Sequence, residues 1–156
     1  MRVIGFRVNP KNVFFVICDY NSVENTFNIL TQESVVVPLS MEMPDILSYL
    51  RTNIFSIINE YTIELAGIRT IEDNAQSISI ERTYIEGVIQ ELISNCSISK
   101  YFAGKKSRIA SLIGMKVEDV SAFINGTENF LDIVSWPEIK LEHRECILSA
   151  YAALSL

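Results

Sequence analysis

Ile4-Gly5-Phe6-Arg7 and Ala66-Gly67-Ile68-Arg69 end two apolar runs in the same way, each delivering an arginine two residues after a glycine. A guanidinium is permanently charged, and an apolar strand rarely carries one without a carboxylate or another anion to receive it. Ion pairing or anion binding is the chemistry this pattern offers. A second concentration of charge is Lys100-Tyr101-Phe102-Ala103-Gly104-Lys105-Lys106-Ser107-Arg108. Lys105, Lys106 and Arg108 fall there at an expected strand-to-helix junction, where backbone amides and the helix dipole favour a phosphate. A solvated basic turn is the plainer reading.

Other chemistries are poorly served. Gly104-Lys105 lacks the glycine five residues earlier that a nucleotide-binding P-loop requires. His143 is the only histidine and has no Cys or His at ligand spacing, which argues against zinc; it reads as an exposed residue in the first turns of the last helix. No Gly-x-Ser-x-Gly nucleophile elbow occurs.

With 156 residues and 49% hydrophobic content, the chain is expected to form one domain with a substantial core. A net charge of -6 argues against general polyanion binding, which rests on neutralising phosphates with Lys and Arg, although a local basic patch is compatible with it. Cys18, Cys96 and Cys146 are odd in number and far apart, as expected of reduced thiols in a cytoplasmic protein. The start, Met1-Arg2-Val3-Ile4-Gly5, has no secretory h-region, and no apolar tract reaches the length of a membrane span.

The elements that must position the arginines follow from periodicity. Arg2 to Val8 and Asn12 to Tyr20 form a hairpin around Asn9-Pro10-Lys11, and a third strand is supplied by either Thr26 to Leu30 or Ser34 to Val37. Pro44 opens an amphipathic helix through Tyr61, and Thr62 to Ile68 is a strand ending at Arg69. Ser77 to Asn95 is a second helix and Ile98 to Phe102 a fifth strand. Gly104 to Ile113 and Val117 to Ile124 are short helices, Trp136-Pro137 marks the entry to the last helix, and Leu141 to Leu154 is that helix, apolar on nearly every face. An antiparallel meander followed by strands joined through helical crossovers implies a mixed α/β sheet covered on both faces.

This succession resembles the ribonuclease H-like superfamily, and within it the Holliday-junction resolvase type, whose first strand carries Gly-x-Asp. The matching residues are Gly5-Phe6-Arg7. In the family a second acid ends the fourth strand and further acids lie on the last helix, together holding Mg²⁺ for phosphodiester hydrolysis. Here the fourth strand ends in Arg69, and Glu145-Cys146-Ile147-Leu148-Ser149-Ala150 stands where the family has an acid followed by small apolar residues. The resemblance therefore implies a five-stranded ribonuclease H-like sheet with a remodelled site of Arg7, Arg69 and Glu145.

Mg²⁺ requires hard oxygen ligands, which arginine does not supply. The expectation is a non-catalytic module without a cofactor, binding protein or nucleic acid, with homo-oligomerisation left open. Two alternatives compete. In one, Asp19, Glu72 or Asp73 rebuilds a Mg²⁺ site and the chain is a nuclease. In the other, Ser107 to Phe123 is a helix-turn-helix, with Ala110, Gly114 and Val120 at its small, turn and core positions, acting as a DNA-binding regulator. Glu118 and Asp119 would open its reader helix and face phosphates badly.

Overall fold

Alternation explains the sheet. Along β1 (Arg2–Val8), Ile4, Phe6 and Val8 point to one face while Val3, Gly5 and Arg7 point to the other; β2 (Asn12–Asn21) divides its buried residues in the same way. Each face is therefore apolar and each must be covered. A computed structural model describes residues 1–72 and 79–156. Its single described sheet has five strands in the order β3-β2-β1-β4-β5, with β3 (Thr26–Val36), β4 (Leu65–Arg69) and β5 (Lys100–Gly104). The first three strands pair antiparallel, and β4 and β5 add in parallel beside β1. This is the expected mixed α/β sheet.

Helices α1 (Met43–Glu60) and α2 (Ile80–Ser94) cover the face of Ile4, Phe6, Ile17 and Ile68. Helices α3 (Lys106–Ile113), α4 (Val117–Asn125) and α5 (Leu141–Ala153) cover the other. The β1–β2 turn is fixed by Asn9, whose Oδ1 accepts from the amides of Lys11 and Asn12 at 2.9 and 2.8 Å.

Several boundaries differ from expectation. The third strand is neither of the two short segments but one strand spanning both, because β2 offers a continuous backbone partner to the polar residues Thr31 to Glu33. β4 begins at Leu65, since Thr62 takes a left-handed conformation (φ 50°), and it includes Arg69. β5 and α3 each start two residues later than predicted, with Lys105 as the N-cap. Ser79 caps α2 by accepting from the Arg82 amide; Ser77, the expected start, lies outside the described residues.

Buried on almost every side, α5 lies directly across β1 and β4. The glycines permit this. A Cβ on Gly5 would overlap the Cys146 carbonyl, and one on Gly67 would overlap the Ser149 carbonyl. Gly5 and Gly67 are register partners, so the two strands together form a groove floor without side chains, into which the helix backbone settles. Trp136, in a one-turn 3₁₀ helix before α5, is fully buried and donates its indole N–H to the Phe123 carbonyl at 2.8 Å.

Candidate functional site

Two residues beyond the glycines, on the same face, Arg7 and Arg69 are also register partners in the β1–β4 pairing. Both side chains point to the α5 side at the carboxyl ends of two parallel strands, where open α/β sheets place their ligands. The helix that the glycines admit brings Glu145 between them. Its Oε2 is 2.5 Å from Arg7 Nε and its Oε1 is 3.5 Å from Arg69 Nε. The three candidate site residues therefore meet.

Proximity here is electrostatic more than directional. Glu145 Oε2 and Arg69 Nε lack aligned hydrogen bonds despite their separations. Arg7 Nη1 instead donates to the carbonyls of Arg69 and Thr70 at 3.1 and 3.3 Å, and Arg69 Nη1 also donates to the Thr70 carbonyl. Arg69 Nη2 is 2.6 Å from Glu72 Oε1, which also accepts from the Lys106 amide at 3.2 Å.

Sequence reasoning missed a further pair. Arg82 Nε donates to Glu86 Oε1 at 3.1 Å, and Glu86 Oε2 accepts from the Ile71 amide at 3.4 Å. The signal was present: Glu86 falls on the apolar stripe of α2 with Ile85, Ile89 and Ile93, where a lone acid needs a partner. Burial lowers the Arg69 pKa, with Glu145 opposing and the Arg7 charge adding to the shift; burial and then Arg7 lower that of Arg82. The guanidiniums thus feel one another. Arg69 and Arg82 retain their protons, as arginine does in proteins.

The other candidates are distributed around this centre. Lys106 opens α3, with its Nζ 3.4 Å from Ser121 Oγ, and Lys105 precedes it as N-cap. Arg108 is exposed, in the first turn of the helix. The basic window does stand at a strand-to-helix junction, joined to the arginine cluster through Glu72. Asp19 lies opposite Arg2, at the other end of β1 from Arg7, and cannot reach the site. Asp73 lies outside the described residues.

A divalent cation does not fit these side chains. Glu145 already faces two guanidiniums, Glu72 and Glu86 are each engaged, and among the described residues no three His, Cys, Asp or Glu gather where they could hold a metal. A cation placed beside Glu145 would have Arg7 and Arg69 as its nearest charged neighbours.

No family profile matches the sequence, and no curated protein matches it significantly. Solved structures do. Thermus thermophilus RuvC superposes with a TM-score of 0.71 at 8% identity, over 99% of this chain and 94% of that one. The T. thermophilus RuvC complex with a Holliday junction substrate gives 0.71 at 9% identity, over the same shares. A fowlpox virus resolvase complexed with substrate Holliday junction DNA gives 0.53 at 15% identity, over 99% of this chain and 95% of that one. The fold is ribonuclease H-like, of the resolvase type.

Within this resolvase-like fold the remaining candidates find structural places. His143 is not exposed, as expected, but buried: its Nε2 lies 3.1 Å from the Glu33 carbonyl and its ring meets Phe14 edge-on, because α5 crosses β2 as well as β1 and β4. Gly114, at φ 69°, does make the turn between α3 and α4. Ala110, Val120 and Phe123, however, are buried in the domain's own core, and Asp119 accepts from the Lys116 amide at 3.2 Å to cap α4. Arg144, another arginine the sequence did not single out, is buried against Gly126 and donates to the Pro137 carbonyl at 3.3 Å. Among the described residues no helix is long and apolar enough to cross a membrane.

Proposed function

We propose that this chain is a resolvase-fold domain that binds its partner without hydrolysing it, its metal-type centre having been rebuilt as an ion-pair network. The observation that carries this reading is the sharing of Glu145 by Arg7 and Arg69 at the carboxyl ends of β1 and β4. Replacing a carboxylate by a guanidinium changes the local charge by two, so two such replacements supply about the charge of two divalent ions. The positive field is retained, whereas a Lewis acid and an activated water are not.

Nucleic acid is the partner class that the chemistry favours over protein. Two of the similar structures hold Holliday junction DNA, and here Lys105, Lys106 and Arg108 stand beside the arginine cluster. Titrating the protein with Mg²⁺ and Mn²⁺ while following thermal unfolding, and incubating it with a four-way DNA junction, tests the proposal. Unchanged stability, intact DNA and a salt-sensitive gel shift are expected. Saturable stabilisation by metal together with junction cleavage would overturn it.

A further inference from the structure

Among the network's acids, Glu72 differs from the rest. Glu145 and Glu86 have side chains only 6% exposed, whereas that of Glu72 is 31% exposed. A single oxygen, Oε1, takes both the Arg69 guanidinium and the amide of Lys106, the first residue of α3. A guanidinium beside the first amide of a helix is the donor set that proteins offer to phosphate oxygens. An anion already sits there, supplied by the chain itself.

Hydrogen bonding in the network is incomplete, with Glu145 Oε2 and two guanidinium nitrogens lacking aligned partners. Arg69 is 2% exposed yet its Nε, which faces Glu145 Oε1 at 3.5 Å, makes no aligned hydrogen bond, and Arg82 Nη2 is likewise buried without one. An unbonded donor on a buried guanidinium is costly, and an oxyanion that can accept from several directions satisfies it better than a planar carboxylate does. Lys105, Lys106 and Arg108 lie at the start of α3, the part of the helix nearest this point, where contacts to neighbouring phosphates of an extended backbone would be made.

We propose that Arg69 and the start of α3 form a seat for a phosphodiester oxygen, which Glu72 fills in the free protein and vacates when nucleic acid binds. This rests on the non-hydrolytic binding reading and adds to it a built-in competitor. Because Glu72 must be displaced, wild-type affinity is held down.

The test is fluorescence anisotropy of a labelled four-way DNA junction at low salt in EDTA. Glu72→Gln removes the competing charge and should tighten binding by about tenfold. Glu72→Asp, which retains the charge but shortens its reach, should also tighten binding and serves if the amide variant folds poorly. Lys106→Gln added to Glu72→Gln should weaken binding and flatten the salt dependence. Unchanged or weaker binding in both Glu72 variants would overturn the seat. Equal competition by inorganic phosphate would reassign it to a small anion, and equal competition by a polyglutamate peptide would reassign it to an acidic protein segment; either result overturns the nucleic-acid assignment. Failure of the seat leaves the metal titration unaffected, and junction cleavage by the wild type would sink the non-hydrolytic reading without removing the Glu72 effect.

Discussion

Arg7 and Arg69 lie directly opposite one another on adjacent parallel strands, and a single carboxylate, that of Glu145, stands between their guanidiniums. Two like charges on register partners would repel without it. Strand pairing, helix docking and charge balance are consequently one arrangement: the glycines that let α5 approach also determine how far Glu145 reaches.

Glu145→Gln should be among the most damaging polar substitutions in the chain. It leaves Arg7 and Arg69 buried without their shared acid, and removal of one member of a buried ion group costs about 3 to 5 kcal/mol. Urea denaturation followed by circular dichroism measures this, and a loss under about 1 kcal/mol would mean that water compensates both arginines.

Gly5→Ala and Gly67→Ala should each destabilise by roughly 3 kcal/mol or more, since the added methyl meets helix backbone and not a movable side chain. Gly87→Ala is the control. Nothing lies within 4 Å of a Cβ there, and the exchange in mid-helix should stabilise by about 0.5 to 1 kcal/mol.

Burial raises the thiol pKa of Cys18 and of Cys146, the latter further beside Glu145. A raised folded pKa contributes stability that is complete below the unfolded thiol value, near 8.5, and is lost as pH climbs above it. Stability should fall in that alkaline range by up to about 1.4 kcal/mol per pH unit for each buried thiol, and Cys18→Ala should reduce the slope. Iodoacetamide should label half-buried Cys96 in the native protein and the other two only after unfolding.

Trp136→Phe removes the indole hydrogen bond to Phe123 and leaves that buried carbonyl without this donor. Since that carbonyl keeps the Gly126 amide at 3.1 Å, a loss of about 0.5 to 1.5 kcal/mol is expected, read from the thermal midpoint. Because Trp136 also touches Phe130, which packs on Tyr151 of α5, the near-ultraviolet dichroism should change with it.

Much of the fold was legible because β1, β2 and α1 carry strong periodic signals, and the element order then allows few topologies. The third strand was not. Its middle residues are exposed and polar, and they are extended only because β2 pairs with them. At the site, the two arginines were readable from their apolar runs, whereas Glu145 came only from the resemblance to the resolvase type. Arg82, Glu86 and Arg144 were missed, since a charged residue on a helix looks solvated until the packing of that helix is known. His143 was misplaced for the same reason: the burial of the first turn of α5 depends on β2 and β3 lying beneath it.

The sharing of Glu145 also makes the centre hard to rebuild one residue at a time. An acid at position 7 alone would join Glu72 and Glu145 as a third carboxylate around Arg69, and an acid at position 69 alone would leave Glu72 and Glu145 crowding it with Arg7 to balance them. Each single step raises the free energy of the folded chain before a cation could lower it. Positions 7, 69, 72 and 145 are therefore energetically coupled, and an acid introduced at either arginine would need a compensating substitution elsewhere in the network.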